Sequence, residues 1–244
     1  MSAEIPLRAE ELFFINSFPV TNTLVMTAVA SGLLIIGALL LQRRFALAPA
    51  GAQNLAEFVL ESVLGFMDQV LGVRSTSERY LPLIATIFIF ILFANWLGLF
   101  PGVGSLLFHT EHEVVPFFRS PASDLNFTLA LALISVIAVN VIGIGARGFL
   151  HHSKKYINFK NPIYFFVGLL EIISELAKIA SFSFRLFGNV FAGEVLLVSI
   201  GLIVPYVIPL PFMVMEILVG IIQAFVFSML TLVFIAMAVA EEAH

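Results

Sequence analysis

The chain has 244 residues, 60% of them hydrophobic and 11% charged, with a formal net charge of −4 and a mean hydropathy of +1.06. A soluble domain carries about a quarter charged residues, so the composition excludes a water-soluble fold and predicts an all-α polytopic protein whose solvent is the lipid bilayer. No cysteine is present, which rules out disulfides and thiolate metal sites, and the absence of a basic patch argues against nucleic acid as a partner.

The first stretch, MSAEIPLRAEELFFINSFP, is acidic and lacks the basic start and small-residue cleavage site of a signal peptide, so it is expected to belong to the mature protein. An apolar run over 20–44 then ends at Gln42, Arg43 and Arg44. It is long enough to cross ~30 Å of hydrocarbon at about 1.5 Å per residue. The next segment, 51–72, differs. Asn54, Glu57, Glu61 and Asp68 recur at helical spacing among apolar residues, which predicts an amphipathic helix lying in the interface. Its polar face is acidic, whereas helices that bind anionic lipid are basic there. A protein neighbour or solvent is expected to cover that face.

A second span is predicted over 80–100, with Trp96 near its far end as an interfacial aromatic. The loop that follows holds His109, Glu111, His112 and Glu113. This is not the helical HExxH arrangement that binds zinc, and the loop reads as polar and extramembrane, with no metal or cofactor expected. The third span covers 124–146, with Asp124 at its start as a helix cap. Arg147, His151, His152, Lys154, Lys155 and Lys160 then make a strongly basic loop.

Orientation follows from the basic residues. Arg43, Arg44, Arg74, Arg79, Arg147, Lys154, Lys155 and Lys160 fall on one side, and Arg8 and Arg119 on the other. The positive-inside rule therefore places the N-terminus outside and the C-terminus in the cytoplasm, with five crossings. The last two apolar segments, 161–203 and 208–240, are too long for upright spans: the first would reach ~60 Å as one helix, twice the hydrocarbon thickness. Each must either break, for instance at Gly188 or Gly193, or tilt far beyond the usual ~20°.

Polar residues in these two segments form a pattern. At about 100° per residue, Glu171, Ser174, Lys178, Ser181, Arg185 and Asn189 make one stripe along the fifth span, flanked by Glu175. Glu194 lies nearly opposite Arg185, while Glu216 and Gln223 share a face of the last helix. A guanidinium keeps its charge in proteins, and at mid-membrane that costs about 2.5–3.5 kcal/mol on insertion scales. The ordinary readings are snorkelling or a structural ion pair. The functional one is two polar pockets opening to opposite sides: Glu171, Ser174, Lys178 and Ser181 toward the cytoplasm, Glu194 and Glu216 toward the outside, and Arg185 between. A carboxylate on another chain would carry a proton from one pocket to the other.

The segments RLFGNVFAGE (185–194) and ILVGIIQAFVF (217–227), with NWLGLFPG (95–102) and SDLNFTLALA (123–132), closely resemble subunit a of F-type ATP synthases. The resemblance implies a proton-translocating stator subunit, not an enzyme by itself, whose last two helices lie strongly tilted against the ring of c subunits. Further implied partners are the peripheral-stalk b subunits, lipid and protons. It implies that Arg185 faces the ring carboxylate and blocks a direct proton leak. Protons would arrive from outside past Glu194, Glu216, Asn189 and Gln223, and leave near Glu171, Ser174, Lys178 and Ser181. Glu216 stands where some members carry histidine, making a possible carboxylate pair with Glu194. The expected location is a bacterial inner membrane, or alternatively an organelle inner membrane. Two other classes compete. A stand-alone channel or secondary transporter would conduct ions without a ring, but no internal repeat is evident. An intramembrane hydrolase would need a Ser/His or metal constellation within the spans, and all five histidines fall in loops or the tail.

Overall fold

The computed structural model describes residues 8–43, 51–100, 103, 106–109, 114–149, 162–204 and 207–240. Its helices are α1 (Asn22–Gln42), α2 (Ala52–Leu71), α3 (Arg74–Gly98), α4 (Leu125–Arg147), α5 (Pro162–Ile203) and α6 (Pro209–Ala240). All but α2 are long and apolar enough to cross a membrane. The protein is an all-α polytopic membrane protein.

Local chemistry sets the helix ends. Thr21 caps α1 by accepting a hydrogen bond from the Leu24 amide. Asp124 caps α4 by accepting from the Asn126 amide at 2.9 Å, and its other oxygen accepts from the buried Thr23 hydroxyl at 2.8 Å. That second bond ties the start of α4 to the start of α1. Gly72 ends α2 in the left-handed region at φ 72, a conformation only glycine adopts without cost, and its amide donates to the Asp68 carbonyl. The third helix begins at Arg74, ahead of the apolar run at Tyr80. Its polar first turns are held by Arg74, which pairs with Glu78 at 3.2 Å and with Asp68 at 2.7 Å. Arg74 and Arg79 thus belong to a helix and not to a loop.

Two short antiparallel hairpins accompany the helices: β1 (Glu11–Ile15) with β2 (Phe18–Thr21), and β3 (Leu107–His109) with β4 (Val114–Pro116). Asn16 takes the left-handed turn position of the first at φ 56, which asparagine tolerates. The fully buried Asn22 joins both hairpins, donating to Glu10 at 2.9 Å and to the Pro116 carbonyl at 3.2 Å. Glu111, His112 and Glu113 of the polar loop lie outside the described residues, as do Arg44, His151, His152, Lys154, Lys155 and Lys160.

The helix α6 packs on α3, α4, α5 and α2, and α4 also packs along α5. The main core joins Ile87, Ile91, Ala132, Val136, Phe182, Leu186, Ala224 and Phe227; a second gathers Val63, Met67, Tyr80, Ile84, Leu232 and Ile235. In lipid, burying apolar surface between helices gains little, because the surrounding solvent is equally apolar; close van der Waals packing does the work. Fully buried Ala94, Ala122, Ala132 and Ala224 permit that closeness. Around the outside, Ile163, Phe166, Leu170, Ile173 and Leu176 of α5 stay exposed, as a lipid- or subunit-facing surface would.

The fifth helix runs unbroken through Gly188 and Gly193. A break at either glycine is excluded.

Candidate functional site

Two of the cavities along the α5–α6 pair hold predicted polar residues. The first, about 320 Å³, is walled by Asn95, Gly98, Arg119, Ser120, Val190, Glu194, Glu216 and Gly220, among others. Arg119 is buried at 4% exposure and holds Glu194, its Nε donating to the carboxylate at 3.1 Å. Its Nη1 donates to the Arg8 carbonyl at 3.3 Å, while Nη2 is buried with no hydrogen-bond acceptor among the described residues. Glu216 is also buried, yet makes no hydrogen bond or ion pair with a described residue. The two acids predicted as a pair therefore share a cavity but not an environment: one is neutralised by a guanidinium and the other is left bare.

Sequence reading placed Arg119 in a polar loop and gave it no role. Its separation of 75 residues from Glu194 carries no periodic signal. The sequence marks Gly193 only as a possible breaking point. It has another purpose: a Cβ there would run into the Glu216 carboxylate. Glycine at 193 makes room for that acid to lie against the backbone of α5. Gly98 is similar, since an added Cβ would come within 2.6 Å of Ser120. Trp96, expected only as an interfacial aromatic, also donates from Nε1 to the Ile217 carbonyl at 3.2 Å, and Asn95 donates to the Gly220 carbonyl at 3.4 Å. These two bonds clasp α3 to α6 beside the cavity.

The second cavity is a cleft of about 360 Å³ lined by Ser174, Ala177, Lys178, Ser181, Phe182, Arg185, Leu230 and Phe234. Four members of the predicted stripe meet here; Glu171 is not among the lining residues. Arg185 is exposed and its Nη2 donates to the Ser181 hydroxyl at 3.3 Å. No carboxylate among the described residues forms an ion pair with it. Lys178, by contrast, pairs with Glu175 at 2.8 Å.

No residue lines both cavities. Leu186 and Asn189 on α5, and Gln223, Ala224 and Phe227 on α6, fall between them along the helices. Leu186, Ala224 and Phe227 are 0–1% exposed, and Asn189 donates to the Gln223 side-chain oxygen at 2.7 Å. A buried apolar layer of Leu186, Ala224 and Phe227 lies between the cavities, beside the bond from the exposed Asn189 to the buried Gln223.

The sequence can be set against known proteins on this footing. A profile of the family described as ATP synthase A chain matches residues 23–236. The chain belongs to that family. It is 36% identical over 233 residues to ATP synthase subunit a of Moorella thermoacetica, covering 94% of this chain and 96% of the relative. With ATP synthase subunit a of Campylobacter jejuni it shares 38% over 214 residues, 86% of this chain and 87% of the other. A third, ATP synthase subunit a 1 of Syntrophotalea carbinolica, is 39% identical over 210 residues, 85% of this chain and 80% of the relative. The resemblance read from RLFGNVFAGE and ILVGIIQAFVF is thus membership. As an A chain of ATP synthase, the protein is a multi-pass membrane subunit, and the two cavities lie within the matched span.

Proposed function

We propose that the chain is the proton-translocating stator subunit of an F-type ATP synthase, in which the Glu194–Glu216 cavity and the Arg185 cleft are two offset half-channels to a rotating c ring. The observation that carries this reading is the isolation of Arg185. Its charge is permanent, its position in a membrane-spanning helix is costly, and no carboxylate among the described residues offsets it. A counter-charge supplied from outside the chain resolves the cost, and a ring carboxylate meets the requirement. On this reading α5 and α6 lie strongly tilted against the ring, consistent with an unbroken α5 of 42 residues.

Protons reach the ring from the outer side through the cavity of Glu194 and Glu216 and on past Asn189 and Gln223, which lie between it and the Arg185 cleft, and neutralise a ring carboxylate so that it can rotate through lipid. After most of a turn the site discharges beside Ser174, Lys178 and Ser181, with Glu171 farther along the exit. Arg185 favours the ionised carboxylate, and its fixed charge blocks direct passage. The driving term is about 2.3 kcal/mol per charge per 100 mV. The chain itself binds no nucleotide on this reading. Its N-terminus faces outward and its C-terminus the cytoplasm of a bacterial inner membrane, with peripheral-stalk b subunits alongside.

The test is the assembled complex reconstituted in vesicles with Arg185→Ala. Loss of ATP synthesis driven by a proton gradient is expected; synthesis at the unaltered rate would overturn the reading. Ion flux through vesicles containing the isolated chain would instead favour a stand-alone channel.

A further inference from the structure

The Arg185 cleft contains a second cation. Lys178 lines it seven residues before Arg185, about 10.5 Å along the helix. Unlike Arg185, it has an ionic partner on its own helix and an aromatic one on α6. Glu175 pairs with it at 2.8 Å, the two side chains being 17% and 21% exposed respectively. The Phe234 ring of α6 lies 4.8 Å from the ammonium, within cation–π range. Behind the pair, Asn140 of α4 reaches the other Glu175 oxygen at 3.5 Å while also donating to the Val136 carbonyl at 2.9 Å. Glu175 and Lys178 also line a small separate cavity with Ser135, Val136 and Val139 of α4, and Arg185 is not among its lining residues. Glu175 itself is not among the residues lining the cleft.

We infer that Glu175 is a positioning residue: it neutralises Lys178 and draws its ammonium toward α4, so that Arg185 is the one uncompensated cation facing the cleft. This inference rests on the half-channel reading above. The physics is that of two like charges near one carboxylate. A ring carboxylate entering the cleft must be captured by Arg185 and then released. A free ammonium in the same cleft, on the order of 10 Å from that carboxylate, would hold it and repel protons approaching it. At an effective dielectric of ~20 that interaction is worth about tenfold in an equilibrium. With Glu175 in place the Lys178–Glu175 unit is neutral, and its field falls off much faster. In the sequence Glu175 only flanks the polar stripe; its role comes from pointing away from the cleft.

The experiment compares Glu175→Gln with Glu175→Asp in the reconstituted complex, measuring gradient-driven ATP synthesis per assembled complex. Gln keeps the length but carries no charge, and with one acceptor oxygen it can keep the bond from Lys178 or the long one from Asn140, whereas Asp keeps the charge and loses length. A charge role predicts that E175Q is slower by about tenfold and that E175D stays within about twofold of the unaltered complex. The opposite ranking, or equal rates for all three, would overturn the inference and leave Glu175 a packing residue. Arg185→Ala, run beside them, separates the two levels. If R185A synthesises normally, the half-channel reading has failed; if R185A is dead while E175Q is fast, only the role of Glu175 has.

Discussion

The two cavities treat charge in opposite ways. In the Glu194–Glu216 cavity a buried cation, Arg119, finds its carboxylate on the same chain, in Glu194. In the cleft the exposed Arg185 finds none among the described residues, although Lys178 beside it does. A cation paired within its own chain is part of the architecture. A cation left unpaired in a membrane helix awaits something from outside. On the proposed reading function lies with the unpaired Arg185, whereas Arg119 fixes Glu194 and leaves Glu216 without a partner among the described residues.

The comparison breaks most severely at Arg119. Replacing it with alanine leaves Glu194, 27% exposed, without its partner; breaking a fully buried pair by removing one partner costs about 3–5 kcal/mol. Glu194 retains some exposure, so a value near the lower end is expected. The yield of assembled complex and its thermal midpoint should both fall. Glu194→Gln, which removes the stranded charge as well, should be better tolerated structurally than Arg119→Ala while slowing proton uptake from the outer side. Equal stability of both variants would show that the pair is not what holds this wall.

Gly193 sharpens the same contrast. Gly193→Ala forces a methyl into the Glu216 carboxylate, and overpacking of this kind costs about 1–3 kcal/mol. The displaced acid should slow outer-side proton uptake, read as lower gradient-driven synthesis with normal assembly. A variant as fast as the parent would mean that Glu216 need not lie against α5. The layer between the cavities is tested by Asn189→Leu. It strands the buried Gln223 side chain, whose Nε2 already lacks a partner among the described residues; losing a buried acceptor's donor costs about 1–3 kcal/mol. Destabilisation and slower outer-side proton uptake without proton leak are expected, because the Arg185 charge that blocks direct passage is untouched.

How much of this was legible in the sequence depends on where the partners sit. The spans, the amphipathic stretch ending at Gly72 and the cap at Asp124 are local patterns, written in hydropathy and in residue types within a turn or two. The Ser174–Lys178–Ser181–Arg185 stripe is equally local, since one helix's periodicity defines it. Glu216 and Gln223 could be put on one face, but the crossing that brings Asn189 to Gln223 could not be read, because helix–helix register depends on packing across chain segments. Arg119 was invisible for the same reason: a loop residue gains meaning only when the fold returns it to α5. Hairpins as short as Leu107–His109 with Val114–Pro116 give too few residues to show a period of two.

The smallest effect belongs to a third charged site, away from both cavities, and it calibrates the other two. Asp68 ends α2 facing the start of α3, where the Ser77 hydroxyl and then the Arg74 guanidinium hold its carboxyl below the ordinary 3.8. A carboxyl with a depressed folded-state value binds its proton more readily when unfolded. It therefore adds stability above the unfolded value, and that contribution disappears as pH falls through the folded one. Because Arg74 is half exposed, water and salt screen the pair, and little is at stake compared with Arg119. Thermal midpoints of the complex with and without Asp68→Asn should differ slightly near about pH 6 and converge below about pH 4. A gap that persists undiminished into acid would mean that Asp68 acts through shape and not charge. A gap as large as that of Arg119→Ala would undo the claim that burial is what separates the two ion pairs.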